Sequence, residues 1–217
     1  MSPRSLRFND AAFAFNYACA CMIRLLIATT NVNKVREIRG LLAGAPIELL
    51  TLAAWPAVRA PEEAGATFEA NARAKALYYA AATGVLTVAE DSGLEIDALG
   101  GAPGVESARF GGVDASYPDK FARIYTMLRE RGASDSAARF VCALTLARGD
   151  RILFEARGTV EGRIAPQPRG DGGFGYDPIF FYPPYAMTLA EAGDRKAAVS
   201  HRGEAFGQLR AYLQSHF

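Results

Sequence analysis

The chain has 217 residues, 50% of them hydrophobic and 22% charged, with a formal net charge of +1; that is enough chain to bury the core of one large domain or two small lobes. Near-neutral charge excludes a general attraction to nucleic acid or to an acidic membrane surface, and no apolar run reaches the ~20 residues that a spanning helix needs. Three cysteines, an odd number, with only His201 and His216 to supplement them, argue against a disulfide framework or a zinc site and for a reducing, cytoplasmic setting.

In chain order, residues 1–21 do not read like the rest: their apolar stretch at 11–15 is short and is interrupted by Asn16 and Tyr17, unlike a secretory signal. They are expected to be an N-terminal extension, disordered or upstream of the start used in the cell, with the domain running over 22–217. Apolar periodicity predicts strands at 23–28, 47–50, 85–90, 139–146 and 152–162, and helices at 32–43, 67–82, 120–131 and 203–214. Thr67 is the expected N-cap of the second helix, Gly84 its stop, and Phe68, Ala72, Lys75 and Tyr79 share one of its faces. Glycine-rich turns follow at 100–101, 111–112 and 170–175. This mixture predicts an α/β fold whose sheet need not be wholly parallel, with a cleft between two lobes.

Four segments carry chemistry. Thr29, Thr30, Asn31, Val32, Asn33 and Lys34 form a polar turn between an apolar strand and a helix start. Free N–H groups and partial positive charge there suit an anion, phosphate above all, and Lys34 adds a mobile cation; a plain capped helix fits the same residues. The Walker pattern is absent. In Val88-Ala89-Glu90-Asp91-Ser92-Gly93 an apolar strand is expected to end in two adjacent acids. These could hold Mg²⁺ or deprotonate a water, or simply form a polar turn. The pair Glu62-Glu63 could complete such a metal site.

Gly170 to Pro178 holds four glycines around Phe174, Gly175, Tyr176 and Asp177. That permits close backbone approach and a stacking face for a base, or a flexible hairpin with core aromatics. Lys196 and Ser200-His201-Arg202-Gly203 open the last helix. They read as a surface cap, or as donors aimed at a purine edge where a 6-keto group would be preferred over a 6-amino group.

Five motifs in order, ATTNVNKVREI, EEAGATFEANARAKA, AEDSGLEIDALGGAPGVESARF, GGFGYDPIF and KAAVSHRGEAF, resemble the inosine triphosphate pyrophosphatase family from Met22 to the final helix. The resemblance implies an elongated central mixed sheet flanked by helices, two lobes around an active-site cleft, and a homodimer. It implies Mg²⁺-dependent hydrolysis of inosine, deoxyinosine and xanthosine triphosphates to the monophosphate and pyrophosphate. Thr29 to Lys34 would bind the triphosphate, and Glu62 (or Glu63) with Asp91 would hold the metal, Asp91 doubling as general base. Ser92, Phe174 to Asp177, Lys196, His201 and Arg202 would contact substrate, with Asn71, Lys75, Glu90 and Arg109 in the same cleft. The chain departs from the family pattern at Thr30, usually glycine, and at Ala70, where the helix motif often has glutamate. Glu69 lies ~100° around the helix from position 70 and is a poor substitute.

Overall fold

The computed structural model describes residues 22–112, 114–133 and 135–217; the expected extension at 1–21 lies outside the described residues. Seven strands form one mixed sheet in the order β2-β1-β3-β4-β5-β6-β7. β1 (Ile23–Ile27), β2 (Ile47–Thr51) and β3 (Leu86–Ile96) run parallel, because α1 (Val32–Leu41) and α2 (Phe68–Thr83) cross over between them. β4 (Ala137–Arg148), β5 (Arg151–Ile164), β6 (Phe180–Tyr182) and β7 (Met187–Thr188) add in antiparallel fashion. The α/β class and the mixed sheet are as the sequence predicts. The two shortest strands were not foreseen, since two or three residues carry no periodicity.

The apolar core falls into separate clusters. Leu25, Ile38, Leu144, Phe206 and Leu209 pack α1 and α5 (His201–His216), which follows the single turn α4 (Lys196–Val199), on the sheet near β1. Leu94, Ile96, Ile124, Leu128 and Phe180 pack α3 (Tyr117–Glu130) near the far end of β3. The cleft opens between these two bodies, bridged by the long strands β3, β4 and β5.

Local chemistry explains the helix ends. Thr67 caps α2 by accepting from the Ala70 N–H, and Gly84 ends it in the left-handed region at φ 68°. Ser116 caps α3, which starts at Tyr117, and Ser200 caps α5, which starts at His201; both helices therefore begin earlier than their apolar residues imply. Gly158 lets α5 lie directly on β5, because a Cβ there would collide with the His201 carbonyl oxygen and the Ala205 amide.

β3 does not stop at Glu90 in a polar turn but runs on to Ile96, paired with β4 from Thr87 opposite Ala147 to Ile96 opposite Ala138. Leu94 and Ile96 are wholly buried and hold the strand in the core, while Glu90 and Asp91 are tolerated mid-strand because each meets cations.

Candidate active site

β1 ends at Ile27, opposite Val88, whereas β3 continues to Ile96. On that side β3 gains no further pairing among the described residues until Glu95 bridges to Pro103. The open edge is the floor of a cavity of about 340 Å³. Thr29, Thr30, Asn31 and Lys34 line it from the start of α1, Lys75 from α2, and Asp91 and Ser92 from β3. Phe174, Gly175, Tyr176, Asp177, Lys196, His201 and Arg202 close the other end. Lys34, Asp91 and Arg202, far apart in sequence, thus face one small volume.

Several expected site residues stand outside that wall. Val32 is 76% exposed, and Asn33 accepts a hydrogen bond from Arg36 at 2.8 Å. Glu62 is exposed and does not line the cavity, whereas Glu63 does. Asn71 and Glu90 are buried just behind the wall. Arg109 pairs with Glu106 and donates to the Glu63 carbonyl oxygen at 3.3 Å.

The start of α1 is already capped. Asn31 Oδ1 accepts from the Asn33 and Lys34 amides at 3.0 and 3.3 Å, and Thr29 Oγ1 accepts from the Asn31 amide at 3.2 Å. Asn31 therefore spends its acceptor on the helix rather than leaving those donors to an anion.

Strand alternation puts Glu90 and Asp91 on opposite faces of β3. Asp91 accepts from Asn71 Nδ2 at 2.9 Å and from Lys75 Nζ at 3.3 Å, while Lys75 also donates to Glu63 at 2.6 Å. Burial raises the Asp91 carboxyl above its usual range, and Lys75 and Asn71 only partly oppose this. Burial would lower the Lys75 ammonium, but Asp91 and Glu63 outweigh it and raise it. Two carboxylates of opposite ends of the chain segment thus converge on one cation. Hard oxygen donors in that arrangement fit a divalent ion held by two carboxylates and completed by phosphate oxygens. No cluster of three or more metal-binding side chains exists among the described residues.

On the other face a line of alternating charge crosses the cleft. Lys34 meets Glu90 at 2.9 Å, and Glu90 meets Arg202 at 3.3 Å. Arg202 meets Glu37 at 2.6 Å, Glu37 meets Lys196 at 2.7 Å, and Lys196 meets Asp177 at 2.7 Å. Three cations and three carboxylates balance. Burial would raise the Glu90 carboxyl, but Arg202 and Lys34 hold it far below its ordinary value. Lys34, expected as a mobile cation, is thus half of an ion pair. Glu37 was missed by sequence reasoning. Its one signal is the three-residue spacing from Lys34, which puts both on one face of α1.

At the far end, Gly173 has φ +69°, and a Cβ there would collide with the Asp177 carboxylate; the glycine lets Asp177 accept from the Phe174 amide at 2.8 Å. The Phe174 ring faces Lys196 Nζ at 4.8 Å and the Arg202 guanidinium at 5.7 Å. Tyr176, expected as a stacking face, is buried. Its hydroxyl donates to the Ser107 carbonyl at 2.8 Å, and its ring meets Tyr117 edge-on, 5.4 Å between centroids. It braces the wall of the cavity that it also lines. His201 stacks on Phe140 with centroids 5.0 Å apart. Burial and the neighbouring Arg202 push its imidazole well below the ordinary value, so it is neutral. His201 Nδ1 and Arg202 Nε are buried without a protein partner, two polar atoms that a ligand could satisfy. Tyr79, Ser107, Tyr117 and Phe140 also line the cavity; only Tyr79, on the inward face of α2, had a sequence signal.

Residues 25–212 match the model of the Ham1 family. The chain belongs to that family. This Ham1-family chain is 45% identical to the dITP/XTP pyrophosphatase of Exiguobacterium sp. over 88% of its own length and 97% of the relative's. It is 47% identical to the dITP/XTP pyrophosphatase of Thermus thermophilus over 89% and 92% of the two chains. Among solved structures it matches a HAM1 protein from Coxiella burnetii with a TM-score of 0.83 and 38% identity, over 89% of this chain and 100% of that one.

Proposed function

We propose that this protein hydrolyses non-standard purine nucleoside triphosphates, those of inosine, deoxyinosine and xanthosine, to the monophosphate and pyrophosphate. The observation that carries the reading is one cavity lined both by the buried carboxylate of Asp91 and by His201 and Arg202, each of which has a buried nitrogen that no protein group satisfies. The dITP/XTP pyrophosphatase names of relatives near 45% identity over most of the chain support it.

In this reading the base lies against Phe174 and presents its 6-keto edge to Arg202 and His201. A 6-amino group would bring a donor to donors, which costs binding. The triphosphate runs toward Lys34, Lys75 and the start of α1. Asp91, held by Asn71 and Lys75, takes a proton from water as its oxygen bonds to the α-phosphorus. The bond from that phosphorus to the bridging oxygen breaks, and the electron pair leaves with pyrophosphate. Asp91 and Glu63 would hold Mg²⁺, which when bound neutralises phosphoryl oxygens and eases departure of the leaving group. Cysteine usage and the resemblance to the inosine triphosphate pyrophosphatase family support a cytoplasmic homodimer.

The test is product identity with deoxyinosine triphosphate, with and without Mg²⁺. Deoxyinosine monophosphate and pyrophosphate, formed only with the metal, are expected. Orthophosphate as the first product, or faster turnover of modified pyrimidine nucleotides, would overturn the proposal.

A further inference from the structure

A second cavity, of about 720 Å³, lies beside the first and shares Thr29, Thr30, Ala60 and Tyr79 with it. Of these, Thr29 and Thr30 lie at the start of α1 and Tyr79 on the inward face of α2, where the two cavities adjoin. Phe174, His201 and Arg202 line the first cavity alone. A nucleotide with its base at that end would extend its phosphate chain toward the shared residues, which also border the second cavity.

The walls of this annex have a distinct chemistry. They carry Arg36 and Arg39, one turn apart on α1, and no acidic side chain. Among the described residues neither arginine takes part in an ion pair, and Arg36 is steered only by Asn33 Oδ1 at 2.8 Å. Guanidinium forks without carboxylates attract phosphate oxygens. The same wall holds Trp55, half-buried and the only tryptophan of the chain, an aromatic face on which a base can stack. Cations beside an aromatic wall, adjoining the phosphate end of a nucleotide site, suit a second nucleotide unit.

We infer that the annex binds the distal nucleoside of dinucleoside polyphosphates, two nucleosides joined 5′ to 5′ through about four phosphoryl groups. The inference rests on the proposed pyrophosphatase reading for the placement of the near nucleotide. With diinosine tetraphosphate, the oxygen of water bonds to the near α-phosphorus and Asp91 takes one of its protons. The α–β bridge breaks with its electron pair on the leaving oxygen, giving inosine monophosphate and inosine triphosphate. A second turnover converts that triphosphate to monophosphate and pyrophosphate.

Trp55 reports on the annex directly. Titration of the whole chain with diinosine tetraphosphate in the absence of divalent metal is expected to quench its emission, and inosine triphosphate to leave it nearly unchanged. With metal, Trp55→Ala and the double variant Arg36→Gln/Arg39→Gln are expected to raise KM for the tetraphosphate about tenfold. KM for the triphosphate should stay within about twofold, and Trp55→Phe should restore most of the loss. No quenching by the tetraphosphate, or KM changes that are absent or equal for both substrates, would overturn the inference alone. Failure of the unmodified protein to turn over inosine triphosphate would instead overturn the pyrophosphatase reading.

Discussion

Glu90 and Asp91 are consecutive in the chain yet serve opposite sides of β3: Glu90 meets Lys34 and Arg202, and Asp91 meets Asn71 and Lys75. Because β1 stops at Ile27, the edge of that stretch faces the cleft, with Asp91 lining the cavity and Glu90 buried behind its wall. A single strand therefore delivers one carboxylate kept charged by cations and another pushed toward protonation by burial. Separating two acids this way is how one site can hold a structural anion and a base at once.

Asp91→Asn keeps the side-chain shape and removes the proton acceptor. Turnover of deoxyinosine triphosphate should fall by about 10²- to 10⁴-fold, with the unfolding midpoint little changed, as read by pyrophosphate release and urea titration. Near-normal turnover would remove Asp91 from the base role.

The metal-free protein should carry a titration signature of the same site. Without divalent ions the Asp91 carboxyl should titrate above the ordinary aspartate value of 3.8 from which burial raises it, as read by carbon-13 NMR of the carboxyl carbon. Lys75 favours the ionised form, so Lys75→Met should move that titration to still higher pH. A titration that stays in place or moves down would mean that Lys75 does not set the charge of Asp91.

Glu90→Gln probes the charged line across the cleft. Glu90 is 3% exposed and faces Arg202, which is 1% exposed; removing the carboxylate leaves a buried guanidinium with one fewer counter-charge. A loss of about 3–5 kcal/mol is expected, measured by denaturant unfolding at neutral pH. A change below about 1 kcal/mol would mean that Glu37 and Ser92, the other partners of Arg202, suffice.

Much of this site is legible before folding. The turn at Thr29 to Lys34 joins an apolar strand to an amphipathic helix, and the inward face of α2 follows from the spacing of Phe68, Ala72, Lys75 and Tyr79. These are local signals. Glu37 is different: it contacts Arg202 across 165 residues of sequence, and nothing near it in the chain announces that partner. The strand through Asp91 and Ser92 was also hidden, because Asp-Ser-Gly favours turns locally and only pairing with β4 overrides that preference. Glu62 and Glu63 are neighbours with equal chemistry; which of them faces Lys75 is decided by the path of a loop.

His201 offers a stability test and a selectivity test in one variant. Its imidazole is buried and its folded value lies well below 6.5, chiefly through desolvation. Below about pH 6.5 the unfolded chain binds a proton that the folded chain refuses, so stability falls as pH drops through that window. The slope from this one group is at most about 1.4 kcal/mol per pH unit. His201→Gln should remove that part of the slope between pH 7 and 5. The same change takes away the neutral ring beside Arg202 and so weakens discrimination at the base edge. The ratio of kcat/KM for inosine over adenosine triphosphate should drop by about 10- to 100-fold, the range expected when one buried polar contact sets the choice. An unchanged ratio with an altered stability slope would confine His201 to packing on Phe140, and leave base selection to Arg202 and its carboxylate partners.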